Sequence, residues 1–397
     1  MNLLIEQAGR FGFASALFLA AGAGTPAVAA NQAFVTSIAD SGILGNWADA
    51  GGNVGLAAGD AICVARATAA NLPNPGQFVA WMSDSTNDAY CRIHGFNGTK
   101  ANSCGQATLP EGAGPWQRVD GTPFMAVIER AVEGDVYMPL SLDEFGATVN
   151  NQRLYTGTTS DGTVTDLHCG NWLIDDDVRV GSTSQTYPGW TQSSGRAFCN
   201  SGRLACMQKG AGPALSLPPS GRKQAFITRE LSNGNLGTSP LAGGNSGLAA
   251  ADAICRNSAQ AANLYEPQSY KAYIAAGSNP AARFQNDGPW FRLDGVRFAD
   301  DFAQISSGFV RAPLNLTETG LYRNSFVNYA WTGVDNTGSF GANCSGWNAS
   351  SGAGWTSLPE ANGPRWPRSY LDSVGCSLFQ ALYCLSDSDL LFRHGFQ

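Results

Sequence analysis

Three histidines, His94, His168 and His394, are the only imidazoles available for acid–base chemistry. They are scattered, and no Gly-x-Ser-x-Gly elbow accompanies them, so a Ser-His-Asp or Cys-His site has no support. Glu144, in Leu-Asp-Glu-Phe-Gly, and Glu318, in Leu-Thr-Glu-Thr-Gly, could act as general acids on a glycoside. That chemistry needs a second carboxylate facing the first, and none is evident. A turn or helix-end hydrogen bond is the simpler role for both. Asp175-Asp176-Asp177 is the one run that raises a metal, because calcium takes clustered oxygens. It lacks the alternating spacing of an EF-hand loop and reads as a solvated acidic loop, so no cofactor is expected. Gly51-Gly52-Asn53-Val54-Gly55 precedes a helix, where backbone N–H groups can hold an anion. It is neither a dinucleotide fingerprint nor a P-loop. Trp47, Trp190, Trp355 and Trp366 lie in polar or Gly/Pro-rich loops and are candidate ligand-binding aromatics. No enzymatic site is expected.

The elements that position these residues come twice. Ala33-Phe34-Val35-Thr36 returns 192 residues later as Ala225-Phe226-Ile227-Thr228, and Asp60-Ala61-Ile62-Cys63 as Asp252-Ala253-Ile254-Cys255. Ala70-Asn71-Leu72 returns at the same offset as Ala262-Asn263-Leu264. From Gly114-Pro115-Trp116, matched by Gly288-Pro289-Trp290, the offset falls to 174, which places an 18-residue insertion in the first copy near 83–113. Trp116, Trp172, Trp290 and Trp347 recur and are assigned to the core. His168 is answered by Asn343, so no histidine is shared.

Cys91 and Cys104 fall inside the insertion, have no counterparts, and are expected to pair with each other. The shared cysteines are Cys63, Cys169, Cys199 and Cys206, answered by Cys255, Cys344, Cys376 and Cys384. Four cysteines allow three connectivities. A nested scheme and a local Cys199–Cys206 pair both remain open on this count. No Cys-x-x-Cys occurs, which argues against zinc.

Each copy opens with a strand (Ala33–Thr36, Ala225–Thr228) followed by an Ala-rich helix (about Leu56–Leu72, Leu248–Leu264) and a second strand (Phe78–Met82, Tyr270–Ala275). A short helix is expected at about Phe124–Val132, and short strands follow. The expected fold class is α+β: two tandem, loop-rich, disulfide-closed domains. Their boundaries are 31–207 and 224–386, with a Pro/Gly-rich linker at 208–223 and a C-terminal tail at 387–397. Residues 1–30 read as a signal peptide, with Arg10, an apolar run to about Ala23 and Ala27-Val28-Ala29-Ala30 as cleavage site. The apolar run is too short to span a bilayer. A secreted, extracellular, outer-surface or periplasmic location is expected, in an oxidising compartment. Only 14% of residues are charged and the net charge is −7, which excludes nucleic acid as a main partner and leaves a protein or glycan ligand.

Phe34-Val35-Thr36-Ser37, Gly55-Leu56-Ala57-Ala58-Gly59-Asp60-Ala61-Ile62-Cys63, Ala80-Trp81-Met82-Ser83-Asp84 and Cys169-Gly170-Asn171-Trp172 together resemble the bacterial DUF1554 domain. This is the domain of leptospiral endostatin-like outer-membrane proteins, akin to the collagen endostatin module and, more distantly, to the C-type lectin-like fold. The second copy departs from it at Tyr273-Ile274-Ala275-Ala276. The resemblance implies the nested pairs Cys63–Cys206, Cys169–Cys199, Cys255–Cys384 and Cys344–Cys376. It also implies adhesion to extracellular-matrix or other surface proteins, with lectin-like carbohydrate binding as the alternative and a glycan-acting enzyme as a more remote one.

Overall fold

The computed structural model describes residues 30–193, 196–215, 223–323, 329–334, 339–362, 366 and 373–388. The expected signal peptide up to residue 29, the middle of the linker and the tail after residue 388, with His394, lie outside these residues. The fold is α+β and loop-rich, and among the described residues every ladder between strands lies within one half of the chain.

In the first half the strand Arg203–Gln208 is central. It pairs antiparallel with Asn31–Val35 and with Phe78–Ala80, and parallel with Arg153–Tyr155. Trp116–Arg118 and Pro123–Met125 extend the sheet on one side, and Asp177–Ser182 and Arg196–Phe198 extend it on the other. Side chains alternate across it. Phe34, Leu204 and Cys206 pack beneath the helix Gly55–Ala69, while Ala33, Val35, Ala205 and Met207 enter a second core containing Trp81, Trp116 and Trp190. The second half repeats this in abbreviated form, with Ala381–Ser386 at its centre and the helix Gly247–Ala261 on one face.

The recurrent Ala-Asn-Leu motif ends both helices. Asn71 and Asn263 are left-handed, each with φ +54°. The Asn71 N–H bonds to Thr68 O and the Leu72 N–H to Ala67 O, each at 3.0 Å, which is a Schellman termination. The helix therefore stops before Pro73 and does not depend on it. The helix expected at Phe124–Val132 is instead a strand, Pro123–Met125, followed by a single turn, Ile128–Ala131. Trp116–Arg118 recruits its first residues into the sheet. The first half also runs past residue 207, because Gly212 N bonds Gly114 O at 2.8 Å.

The disulfides are Cys63–Cys206, Cys91–Cys104, Cys169–Cys199, Cys255–Cys384 and Cys344–Cys376, with no free cysteine. Gly42 and its repeat partner Gly234 are the points where the opening loop crosses the inner pair of each half. A Cβ on either would stand 2.8 Å from the Cβ of Cys199 or Cys376. Gly42→Ala is therefore expected to cost about 1–3 kcal/mol through overpacking, read as a lower urea midpoint at unchanged m.

Candidate functional site

The groups that could do chemistry are almost all engaged in holding the fold. Glu144 is buried. It accepts the Ser37 backbone N–H at 2.8 Å, the Ser37 hydroxyl at 2.6 Å and Arg66 Nε at 2.6 Å, clamping the end of the first strand to the helix. In the second half Arg229 and Ser258 stand where Ser37 and Arg66 stand in the first. Glu318 keeps the backbone bond, accepting Arg229 N at 2.8 Å, but has no helix guanidinium, and burial pushes its carboxyl up. Its preserved task is the strand-end bond.

His94 lies within the insertion, with Nδ1 2.8 Å from Tyr90 O and Nε2 3.3 Å from Glu129 Oε1. Burial would raise the Glu129 carboxyl. Hydrogen bonds from His94, Gly112 and Tyr90 outweigh that and hold it below its ordinary range, while burial and Glu129 push the Tyr90 phenol up. The cluster pins the insertion to the turn Ile128–Ala131. His168 accepts the Asn171 N–H on Nδ1 at 2.9 Å, and Asn343 accepts the Gly346 N–H on its side-chain oxygen at the same distance. The change from histidine to asparagine preserves one acceptor, which explains why the two correspond.

One arrangement carries no motif that marks its partners in the sequence. Asp60 and Asp252, inside the twin Asp-Ala-Ile-Cys motifs, accept the Ala80 and Ala272 N–H groups at 2.9 and 3.0 Å. Each also pairs with an arginine, Arg92 or Arg283, which in turn donates to carbonyls of the adjacent strand. Arg92 and Arg283 stand 191 residues apart, one off the 192 that relates the two aspartates, so a strict offset search passes over them.

Of the candidate aromatics, Trp47, Trp190 and Trp366 are core residues and not surface platforms. They are 3%, 2% and 0% exposed, and Trp355 is half-buried. Trp47 donates to Ser41 O at 2.8 Å. Trp190 lies 5.2 Å from the Trp81 ring and meets Phe124 edge-on at 5.3 Å. Trp366 does the same with Tyr273 and Phe298, at 5.9 and 4.9 Å. Both rings are held by aromatic packing inside their own half's core. Matching Trp190 with Trp366 at an offset of 176 was the signal that could have revealed it.

Asp175-Asp176-Asp177 does not converge. Asp175 and Asp176 are exposed, and Asp177 is tied to Arg196 across the strand pair. Among the described residues no three His, Cys, Asp or Glu side chains are grouped to hold a metal ion. No helix of the described residues is long and apolar enough to cross a membrane.

Several of the exposed large apolar side chains lie beside the inner disulfides, while others, such as Phe145 and Phe309, are scattered elsewhere. Leu173 N and Ile174 N both bond Cys169 O, at 3.0 and 3.1 Å, and Cys199 N bonds Asp176 O at 3.0 Å. Phe198 pairs with Asp177 in the ladder. Leu173, Ile174 and Phe198 are 48%, 52% and 68% exposed around the Cys169–Cys199 bridge. The second half presents Leu378 and Phe379, 50% and 57% exposed, directly after Cys376. Isolated exposed apolar residues are ordinary; here Leu173 and Ile174 follow Cys169 by one turn and Phe198 precedes Cys199, so the bridge brings them to one region of the surface. No protein-family model and no curated protein matches this chain.

Proposed function

We propose that this is an exported, non-catalytic binding protein that adheres to extracellular-matrix or other surface proteins through its disulfide-braced tips. The observation that carries the proposal is the exposed Leu173, Ile174 and Phe198 group around Cys169–Cys199. Five disulfides fit an oxidising compartment and a secreted chain. The motif resemblance to DUF1554 endostatin-like domains points the same way. The carboxylates and imidazole that sequence singled out serve as clamps and caps, which favours binding over turnover. Two tips on one chain would also gain avidity against a repetitive surface.

The test is binding of oxidised protein to immobilised matrix proteins and to a glycan array, with calcium and with chelator. Saturable protein binding that survives chelation is expected. Ile174→Ser with Phe198→Ser is expected to weaken it at least about tenfold, as for loss of an interface anchor, with Tm changed little because both side chains are exposed. Sugar binding lost on chelation would replace this reading with the lectin one.

A further inference from the structure

The two halves meet through the same face of each, related by an approximate dyad. Gln185 and Ala361 occupy one repeat position, at the offset of 176 that also relates Trp190 to Trp366. They face each other in an antiparallel bridge. On one side Thr186 N bonds Glu360 O at 2.9 Å, and on the other Asn362 N bonds Ser184 O at 3.2 Å. Thr186 corresponds to Asn362 and Ser184 to Glu360, so the two bonds are the same bond made in both directions. The reciprocity extends outward. Arg292 donates to Tyr137 O at 2.9 Å, while Arg311, the counterpart of Tyr137, feels the charges of Arg118 and Asp120, the counterparts of Arg292 and Asp294. This is the geometry of an isologous dimer, here built between two parts of one chain.

The two copies have nevertheless diverged where they touch. Met138 packs against Val296 and Ala312, and Ala312 is its own repeat counterpart. Two first halves would oppose two methionines, and two second halves would oppose two alanines. The large-against-small fit therefore selects the mixed pair. None of the five disulfides and, among the described residues, none of the strand ladders crosses between the halves, so each contains its own covalent and hydrogen-bonded frame.

We infer that this face of the first half is a recognition surface in its own right, whose ligand is the second half of any copy of the chain. Two chains can then join by exchanging halves, through contacts identical to those within one chain, while like halves do not pair. The intramolecular linkage favours the closed single chain at low concentration, and exchange grows as the concentration approaches the effective molarity set by the linker.

The experiment cuts the folded, oxidised protein at a protease site placed in the 216–222 segment, so that both fragments start native. Circular dichroism reports that they remain so. The fragments are expected to co-elute as a 1:1 complex at micromolar concentration, and Met138→Asp is expected to weaken that complex at least about tenfold. Mixing cut Gln185→Cys protein with cut Ala361→Cys protein is expected to give a cross-link between the two sources. Directly opposed residues of a pair bonded in this way have Cα atoms about 4.5 Å apart, within disulfide reach. Folded fragments that separate at micromolar concentration would overturn the inference. So would Gln185→Cys fragments that cross-link to each other as well as to Ala361→Cys fragments. Neither outcome bears on adhesion through the tips, which is measured on the uncut chain.

Discussion

Replacing both Cys63 and Cys206 with alanine is expected to cost the first half about 5 kcal/mol in the chain-entropy account of cross-linking. The bridge spans 143 residues and joins the helix to the central strand, so the unfolded chain it constrains is nearly the whole half. Removing Cys91–Cys104, which spans 13, is expected to cost about 3 kcal/mol on the same account. The two variants isolate loop length, since both pairs are buried and both substitutions remove the same atoms. Urea unfolding followed by tryptophan fluorescence measures the difference. Each half has its own core, so the first transition should move and the second should stay near its place. Equal losses in the two variants would mean that cavity formation, and not the constraint on the unfolded chain, dominates.

The α+β class was legible in the repeated strand and helix patterns, and the Cys91–Cys104 pair in a repeat that can be counted, whereas the nested pairs rested on the motif resemblance, because counting leaves a local Cys199–Cys206 pair open. An insertion isolates Cys91 and Cys104 by subtraction, whereas the helix end at Ala70-Asn71-Leu72 shows its cause, a left-handed asparagine, only in the structure. The Asp in Asp-Ala-Ile-Cys was visible as a motif, but its partners Arg92 and Arg283 were not. Arg92 lies 12 residues beyond Ala80 and Arg283 lies 11 beyond Ala272, so the two guanidiniums fall one residue out of register and are missed at a fixed offset. Burial of Trp190 and Trp366 was hidden for a different reason. Their neighbours in sequence are polar turn residues, whereas their neighbours in space are Trp81, Phe124, Tyr273 and Phe298. The face joining the halves was the least legible. Gln185 opposite Ala361, or Met138 opposite Ala312, carries no pairwise signal until the dyad is known.

Arg292→Met is expected to destabilise the second half by about 3–5 kcal/mol, the cost of leaving a buried charge without its partner. Arg292 is fully buried and donates to Asp294, to Pro313 O at 3.1 Å, to Asn315 Oδ1 at 3.0 Å and, across the dyad, to Tyr137 O at 2.9 Å. Burial alone would raise the Asp294 carboxyl. The Arg292 charge, with hydrogen bonds from Arg292, Tyr322 and Val296, outweighs burial and holds it below its ordinary range. A depressed carboxyl contributes stability that is present above its unfolded value, about 3.9, and is lost as pH falls through the lower folded value. Without Arg292 the desolvation remains and the largest compensation is gone, with only the Tyr322 and Val296 hydrogen bonds left, so the same carboxyl is expected to move up and the sign to reverse. The variant then gains stability as Asp294 takes a proton on acidification, while the parent loses it. The gap between the two proteins is therefore expected to be widest near pH 7 and to narrow toward pH 3. Adding Asp294→Asn to Arg292→Met removes the stranded charge, and is expected to recover part of the loss at pH 7 and flatten the pH dependence of the gap. A gap that is constant from pH 7 to pH 3 would assign the whole effect to the lost packing and backbone bonds of Arg292, leaving no part for its charge.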